Sequence, residues 1–154
     1  LAFSDGDLIR RLIDGAALLF SNEYESAMIE QKTGWSGAEI LERVGTQVTT
    51  LGKDGVRILR RGEEPIELPA ARDVTALEPT GVGDAFRAGF LAALSWHVGL
   101  ERAAQVGCVL AAYVVETVGT QEYTFTPAQF LARVEKSYGA AAADDVEPHL
   151  TRLG

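Results

Sequence analysis

The run Glu78-Pro-Thr-Gly-Val-Gly-Asp-Ala-Phe-Arg-Ala-Gly-Phe90 carries more information than any other part of this chain. It follows an irregular, strand-like segment, Asp73 to Leu77, and leads into apolar residues at helical spacing. Thr80-Gly81-Val82-Gly83 reads as a turn poor in side chains, with Asp84 where the helix is expected to begin. Unpaired N–H groups at a helix N-terminus, unshielded where glycine lacks a Cβ, attract phosphate oxygens. A carboxylate at the same place would repel that anion. The pairing makes chemical sense if Asp84 takes a proton from an attacking hydroxyl while the turn neutralises a transferring phosphoryl group. A plain helix cap accounts for the spacing equally well, so both readings stand on spacing alone.

Outward from this run, helical and strand-like patterns alternate. Ser4 and Asp5 are suited to cap a helix with an apolar stripe of Leu8, Ile9, Leu12 and Ile13, ended by Gly15. Ala16 to Phe20 reads as a buried strand, with Asn22 at its carboxyl end and a helix from Glu25 to Thr33. Ser36 and Glu39 have capping-box spacing for a short helix. Gln47 to Leu51 reads as a second buried strand; Val56-Arg-Ile-Leu59 and Ile66-Glu-Leu68 flank a hairpin or meander. Helices are expected over Asp84 to Trp96, Glu101 to Thr117, Thr126-Pro127 to about Tyr138, and Ala140 to about Leu153. This order implies an α/β layered fold with a mainly parallel sheet flanked by helices. Ligands in such sheets bind at the carboxyl ends of strands. Asn22 to Glu25, Thr50 to Gly55 and Thr80 to Asp84 each follow a strand-like run, so they are expected to share one sheet edge.

The motifs resemble those of the ribokinase-like (PfkB) carbohydrate and nucleoside kinases. Thr80-Gly-Val-Gly-Asp-Ala-Phe86 with Gly89-Phe90 resembles the C-terminal signature of that family. Asn22-Glu-Tyr-Glu25 is similar to its Asn-x-x-Glu motif, and Thr50-Leu-Gly-Lys-Asp-Gly55 to its Thr-x-Gly-x-x-Gly turn. The wording from Glu78 to Phe90, with Glu116-Thr-Val-Gly-Thr-Gln121 downstream, is similar to the actinobacterial adenosine kinases within it. The resemblance implies a ribokinase-like fold and ATP-dependent transfer of the γ-phosphoryl group to a nucleoside hydroxyl, first of all the 5′-hydroxyl of adenosine. A sugar acceptor is the alternative within the same mechanism. A non-catalytic nucleotide-binding segment is the alternative outside it. It implies Asp84 as general base and Thr80, Gly81, Val82 and Gly83 around the phosphate. Asn22, Thr50, Gly52 and Gly55 are implied at the ATP site, and Glu25 near Mg²⁺ through water.

The region from Glu116 to Gln121 resembles one near adenine and a monovalent-cation loop. Glu78-Pro79 stands where an Asp-Thr pair is typical, which leaves potassium dependence open. Arg87, one turn on from Asp84, has two readings, a phosphate contact or a surface ion pair. No Walker A ending is present. The resemblance further implies that the lid and acceptor-binding part belong to an N-terminal portion outside this chain. Leu1 is not an initiator methionine, and the chain reads as cut from a longer protein.

Bulk properties narrow the partners. The 154 residues suffice for one well-filled domain. A net charge of −8 disfavours a nucleic-acid backbone, and no apolar run approaches a membrane span. Cys108, the single cysteine, lies in an apolar helical run and reads as a buried reduced thiol of a cytoplasmic protein. His97 and His149 read as surface or helix-end residues, Trp35, Trp96 and Phe90 as packing anchors, and a homodimer is compatible with all of this. Phe3, Leu18, Val48 and Phe90 are expected to lack packing partners if the first strands of the sheet lie elsewhere.

Overall fold

A computed structural model describes residues 5–119 and 122–150. The chain divides into two compact units that meet between Glu67 and Leu68.

The first unit begins with α1 (Gly6–Ile13), capped by Asp5, whose side chain accepts the Leu8 N–H at 2.7 Å. The Ser4 half of the expected cap lies outside the described residues. Ile9 and Ile13 are buried, whereas Leu8 and Leu12 are 45% and 69% exposed, so only half of the expected stripe faces the core. Strand β1 (Leu18–Asn22) ends where α2 (Glu23–Thr33) starts. The strand lies two residues later than its apolar run suggested, and Asn22 is both its last residue and the cap of α2. Helix α3 (Gly37–Leu41) carries the expected Ser36–Glu39 capping box. Strands β2 (Thr46–Thr50), β3 (Val56–Leu59) and β4 (Ile66–Leu68) complete a four-stranded sheet in the order β1-β2-β3-β4.

The expected parallel order holds for β1 and β2, which are joined through helices; β3 runs antiparallel to β2. The five residues from Leu51 to Gly55 are too few for a crossover and make a tight turn instead. There Leu51 N–H donates to the Gly55 carbonyl at 2.8 Å, and Gly55 holds φ 107° and ψ −130°, a region for glycine alone. Ile9, Ile13, Ile29, Ile40 and Val44 form a buried cluster. Trp35 packs against it beneath the Arg43 guanidinium, 4.1 Å from the ring centre.

The second unit is helical: α4 (Val82–Ser95), α5 (Leu100–Val115), α6 (Pro127–Tyr138) and α7 (Ala140–Leu150). Helix α4 starts two residues before Asp84, because Gly81 in the left-handed region supplies the cap. Helix α5 ends at Val115, short of Gly119. Thr126 and Gln129 form the capping box of α6, with Pro127 at its first position.

Helices α4 and α5 touch backbone to backbone. A Cβ on Gly89 would lie 3.0 Å from Gly107 Cα, and one on Gly107 would lie 2.8 Å from the Phe86 carbonyl oxygen. The Gly89-Phe90 end of the signature is therefore a packing device, with Phe90 fully buried. Tyr113, Phe125 and Phe130 stack where α5 meets α6, with centroids 4.7 to 6.2 Å apart. Val48 and Phe90 are both 0% exposed, so the expected gap in their packing is not there; Leu18 is only half-buried, and Phe3 lies outside the described residues. No helix among the described residues is long and apolar enough to cross a membrane.

Candidate functional site

In the first unit two of the three motifs meet at one sheet edge. Asn22 and Thr50 are direct register partners at the carboxyl ends of parallel β1 and β2. Asn22 Oδ1 accepts the Glu25 N–H at 2.7 Å, and Glu25 Oε2 accepts the Asn22 N–H at 3.0 Å. The Asn-x-x-Glu spacing is thus a reciprocal cap that satisfies two helix-end donors and fixes both side chains. Among the described residues it leaves Asn22 Nδ2 and Glu25 Oε1 without a partner. Thr50 leads into the Leu51–Gly55 turn, where Gly52 (φ 59°) opens a single 3-10 turn and Gly55 closes it. Lys53 and Asp54 are exposed on that turn.

In the second unit Gly81 has φ 81° and ψ −4°, which only glycine adopts without strain, and it delivers the chain into α4. The first intrahelical bond runs from Ala85 N–H to the Gly81 carbonyl at 2.9 Å. Thr80 N–H is taken by Glu78, and Val82 N–H faces the Pro79 carbonyl at 3.4 Å. The N–H groups of Gly81, Gly83 and Asp84 meet no acceptor among the described residues. A positive end of the helix dipole with unspent donors is an anion seat.

Asp84 is the third residue of α4, not its cap, and its carboxylate is 83% exposed. Arg87 Nη1 stands 3.4 Å from Asp84 Oδ1, an ion pair without a close hydrogen bond. Gly83 is open: a Cβ there would meet only Arg87 Nη2, at 3.9 Å. The arrangement offers an exposed carboxylate within one turn of donors suited to growing negative charge.

Thr80 does not cap α4. Its hydroxyl donates to Glu78 Oε1 at 2.6 Å, and the two bonds from Thr80 hold the Glu78 carboxyl below the usual carboxylate range. Sequence reasoning noted Glu78 only as a departure from the family wording and missed both its bonds to Thr80 and the N–H of Asp84 itself. An acidic residue two positions before a threonine was the available signal for the first. Glu116, expected near a nucleobase, spends both oxygens on Arg133 at 2.6 Å each and accepts the Thr75 N–H at 3.1 Å. The Arg133 guanidinium holds its carboxyl below the ordinary range. Thr120 and Gln121 of the same segment lie outside the described residues.

Cys108 is buried, and burial pushes its thiol up to about 11, which keeps it neutral and unreactive. His149 stacks flat on Trp96 with centroids 5.0 Å apart, and His97 ends α4 with φ 62°. No group of three metal-ligating side chains occurs among the described residues. Mg²⁺ keeps much of its water and needs only one or two carboxylates, so the uncommitted Glu25 oxygen suits such an ion.

Comparison with known proteins shows the family and the fold. A sequence profile described as pfkB family carbohydrate kinase matches residues 3–127. The nucleoside kinase of Methanocaldococcus jannaschii is 31% identical over 130 residues, covering 84% of this chain and 43% of that protein. Its solved structure, described as an archaeal member of the ribokinase family, superposes with a TM-score of 0.79, at 30% identity over 86% of this chain and 44% of that one. Burkholderia thailandensis nucleoside kinase in complex with inosine superposes with a TM-score of 0.85, at 34% identity over 90% of this chain and 46% of that one. Inositol 3-kinase of Zea mays is 34% identical over 97 residues, 63% of this chain and 24% of that protein. The chain therefore spans less than half the length of these relatives.

Proposed function

The chain belongs to the pfkB family of carbohydrate kinases, and from that premise we propose that it forms the nucleotide-side and catalytic part of an ATP-dependent nucleoside kinase. The observation that carries this reading is the entry to α4, where a left-handed glycine, unspent N–H groups and the exposed Asp84 carboxylate fall within one turn.

In this reading Asp84 accepts the proton of the acceptor hydroxyl as its oxygen attacks the γ-phosphorus of ATP in line with the departing ADP oxygen. The N–H groups of Gly81, Gly83 and Asp84 receive the charge that grows on the phosphoryl oxygens; loss of one comparable donor costs about 3 kcal/mol of barrier elsewhere. Thr80 and Val82 shape the turn. Asn22, Thr50, Gly52 and Gly55 would serve ATP, and Glu25 would hold through water a Mg²⁺ ion that would supply charge neutralisation. Potassium dependence has no support from Glu116, whose oxygens are taken by Arg133.

The nucleoside kinases among the relatives, one of them solved with inosine, support a nucleoside as the acceptor. Adenosine, phosphorylated at its 5′-hydroxyl to AMP for purine salvage, is the acceptor favoured by the Glu78 to Phe90 wording. The lid and acceptor-binding face are assigned to sequence outside residues 1–154, because the matched part makes up only 43% and 46% of the lengths of these relatives. A coupled ADP-release assay on the complete protein tests the whole reading, with adenosine, inosine, ribose, fructose and myo-inositol offered in turn. Turnover with a free sugar or inositol alone would move the acceptor class. ATP binding without turnover on any of them would leave a nucleotide-binding segment.

A further inference from the structure

Glu78 is clasped to Thr80. One of its oxygens, Oε1, accepts both the Thr80 N–H at 3.1 Å and the Thr80 hydroxyl at 2.6 Å. Pro79 between them has a fixed φ and no N–H, so the three residues form a stiff unit. The same two bonds favour the ionised carboxylate, and a charged acceptor makes them stronger than neutral ones. What this unit holds is the peptide leading into Gly81, and Gly81 sets the direction in which α4 departs.

We propose that Glu78 is a positioning residue of the phosphoryl-transfer site, acting through Thr80 to aim the free N–H groups and the Asp84 carboxylate at the start of α4. The proposal rests on the kinase reading above and adds a residue to it. It also changes the part played by Thr80. With its hydroxyl hydrogen and its N–H both spent on Glu78, Thr80 has no donor left for a phosphate. It works as the link between the brace and the turn. Misplacement of reacting groups by about 1 Å can cost about 10²-fold in rate, so a loosened clasp is expected to slow chemistry more than it weakens binding.

The test uses the complete protein with Glu78→Ala, Glu78→Gln, Thr80→Ser, Thr80→Val and the double variant Glu78→Ala/Thr80→Val. Glu78→Ala and Thr80→Val should each lower kcat about tenfold, with the acceptor KM within about twofold of the parent. Thr80→Ser keeps the hydroxyl and should stay within about twofold in kcat. Glu78→Gln keeps a neutral acceptor and should fall between parent and Glu78→Ala. The double variant should be no worse than the poorer single one, because both break one link. Multiplying losses, a parent-like Glu78→Ala, or a Thr80→Ser as slow as Thr80→Val would overturn the proposal. Hydrogen exchange at the Thr80 amide gives a readout independent of turnover: protected in the parent, released in Glu78→Ala. A protected amide in a protein without kinase activity would refute the kinase reading and the positioning role with it. Kinase activity with an unprotected Thr80 amide would refute the clasp alone.

Discussion

Asp84 tests the chemistry most directly, because little else depends on it. Its carboxylate is exposed and its contact with Arg87 is a 3.4 Å surface pair, the kind worth little to stability. Asp84→Asn in the complete protein should therefore lower kcat about 10²-fold or more, with ADP affinity and the melting temperature close to the parent. A parent-like kcat would remove Asp84 from the base role. Gly83 asks a different question. It lies inside the helix with a negative φ, and a methyl group there meets nothing closer than Arg87 at 3.9 Å. Gly83→Ala should leave stability unchanged or raise it by about 0.5–1 kcal/mol, since alanine is the better helix former. A tenfold or greater loss of ADP affinity by calorimetry would then report a methyl in the anion's path. Retained affinity and turnover would make the turn a structural cap only. Backbone strain on substitution belongs instead to Gly81, where φ is 81°.

Local devices were readable before the structure, and devices that join distant residues were not. The box at Ser36–Glu39 needs only residues three apart and is present, whereas the box at Thr126–Gln129 has the same spacing but was not foreseen, Thr126-Pro127 being read only as a helix start. Asn22–Glu25 was readable as a motif, yet its reciprocal cap went unnoticed because the same residues suggested phosphate chemistry. The start of α4 was misplaced by two residues because Asp84 looks like a cap, while the actual cap is a glycine that caps through conformation alone. The contact of Gly89 with Gly107 and the bond from Arg133 to Glu116 span 18 and 17 positions, beyond any local pattern.

The Glu116–Arg133 link makes a prediction for this helical unit. Both side chains are mostly buried, at 25% and 15% exposure, and the pairing is bidentate. Glu116→Gln should cost about 1–2 kcal/mol at neutral pH. Because Arg133 lowers the folded-state pKa of Glu116, the unfolded chain takes up the proton first as pH falls. The stabilisation is therefore complete above the ordinary value of 4.5 and is lost as pH drops through the lower folded value. Denaturation curves of parent and variant should lie furthest apart near pH 7 and converge below pH 4.5. Asp73 and Glu39, also lowered, are common to both proteins and cancel in the difference. A gap that does not change with pH would show that packing, not charge, holds α5 to α6.

For the molecule as a whole, the question is how much of a kinase residues 1–154 make by themselves. Within its sheet β1 is an end strand, with β2 on one side and no partner on the other among the described residues. An unpaired strand edge invites pairing with another chain. Leu12, Leu77 and Val118 are 69%, 61% and 75% exposed, further apolar surface for a partner to cover. The relatives that supply the functional reading are matched over only 43% and 46% of their lengths. Contacts to the acceptor are proposed to lie in the remainder. Residues 1–154 alone should then phosphorylate adenosine at least about a hundredfold more slowly than the complete protein, since an unpositioned acceptor forfeits much of the proximity gain. They should also self-associate in sedimentation velocity in a concentration-dependent way. Supplying the remainder of the protein in trans should restore part of the turnover and suppress the self-association. A monomer with full activity would place the acceptor site within these residues and overturn the proposed division.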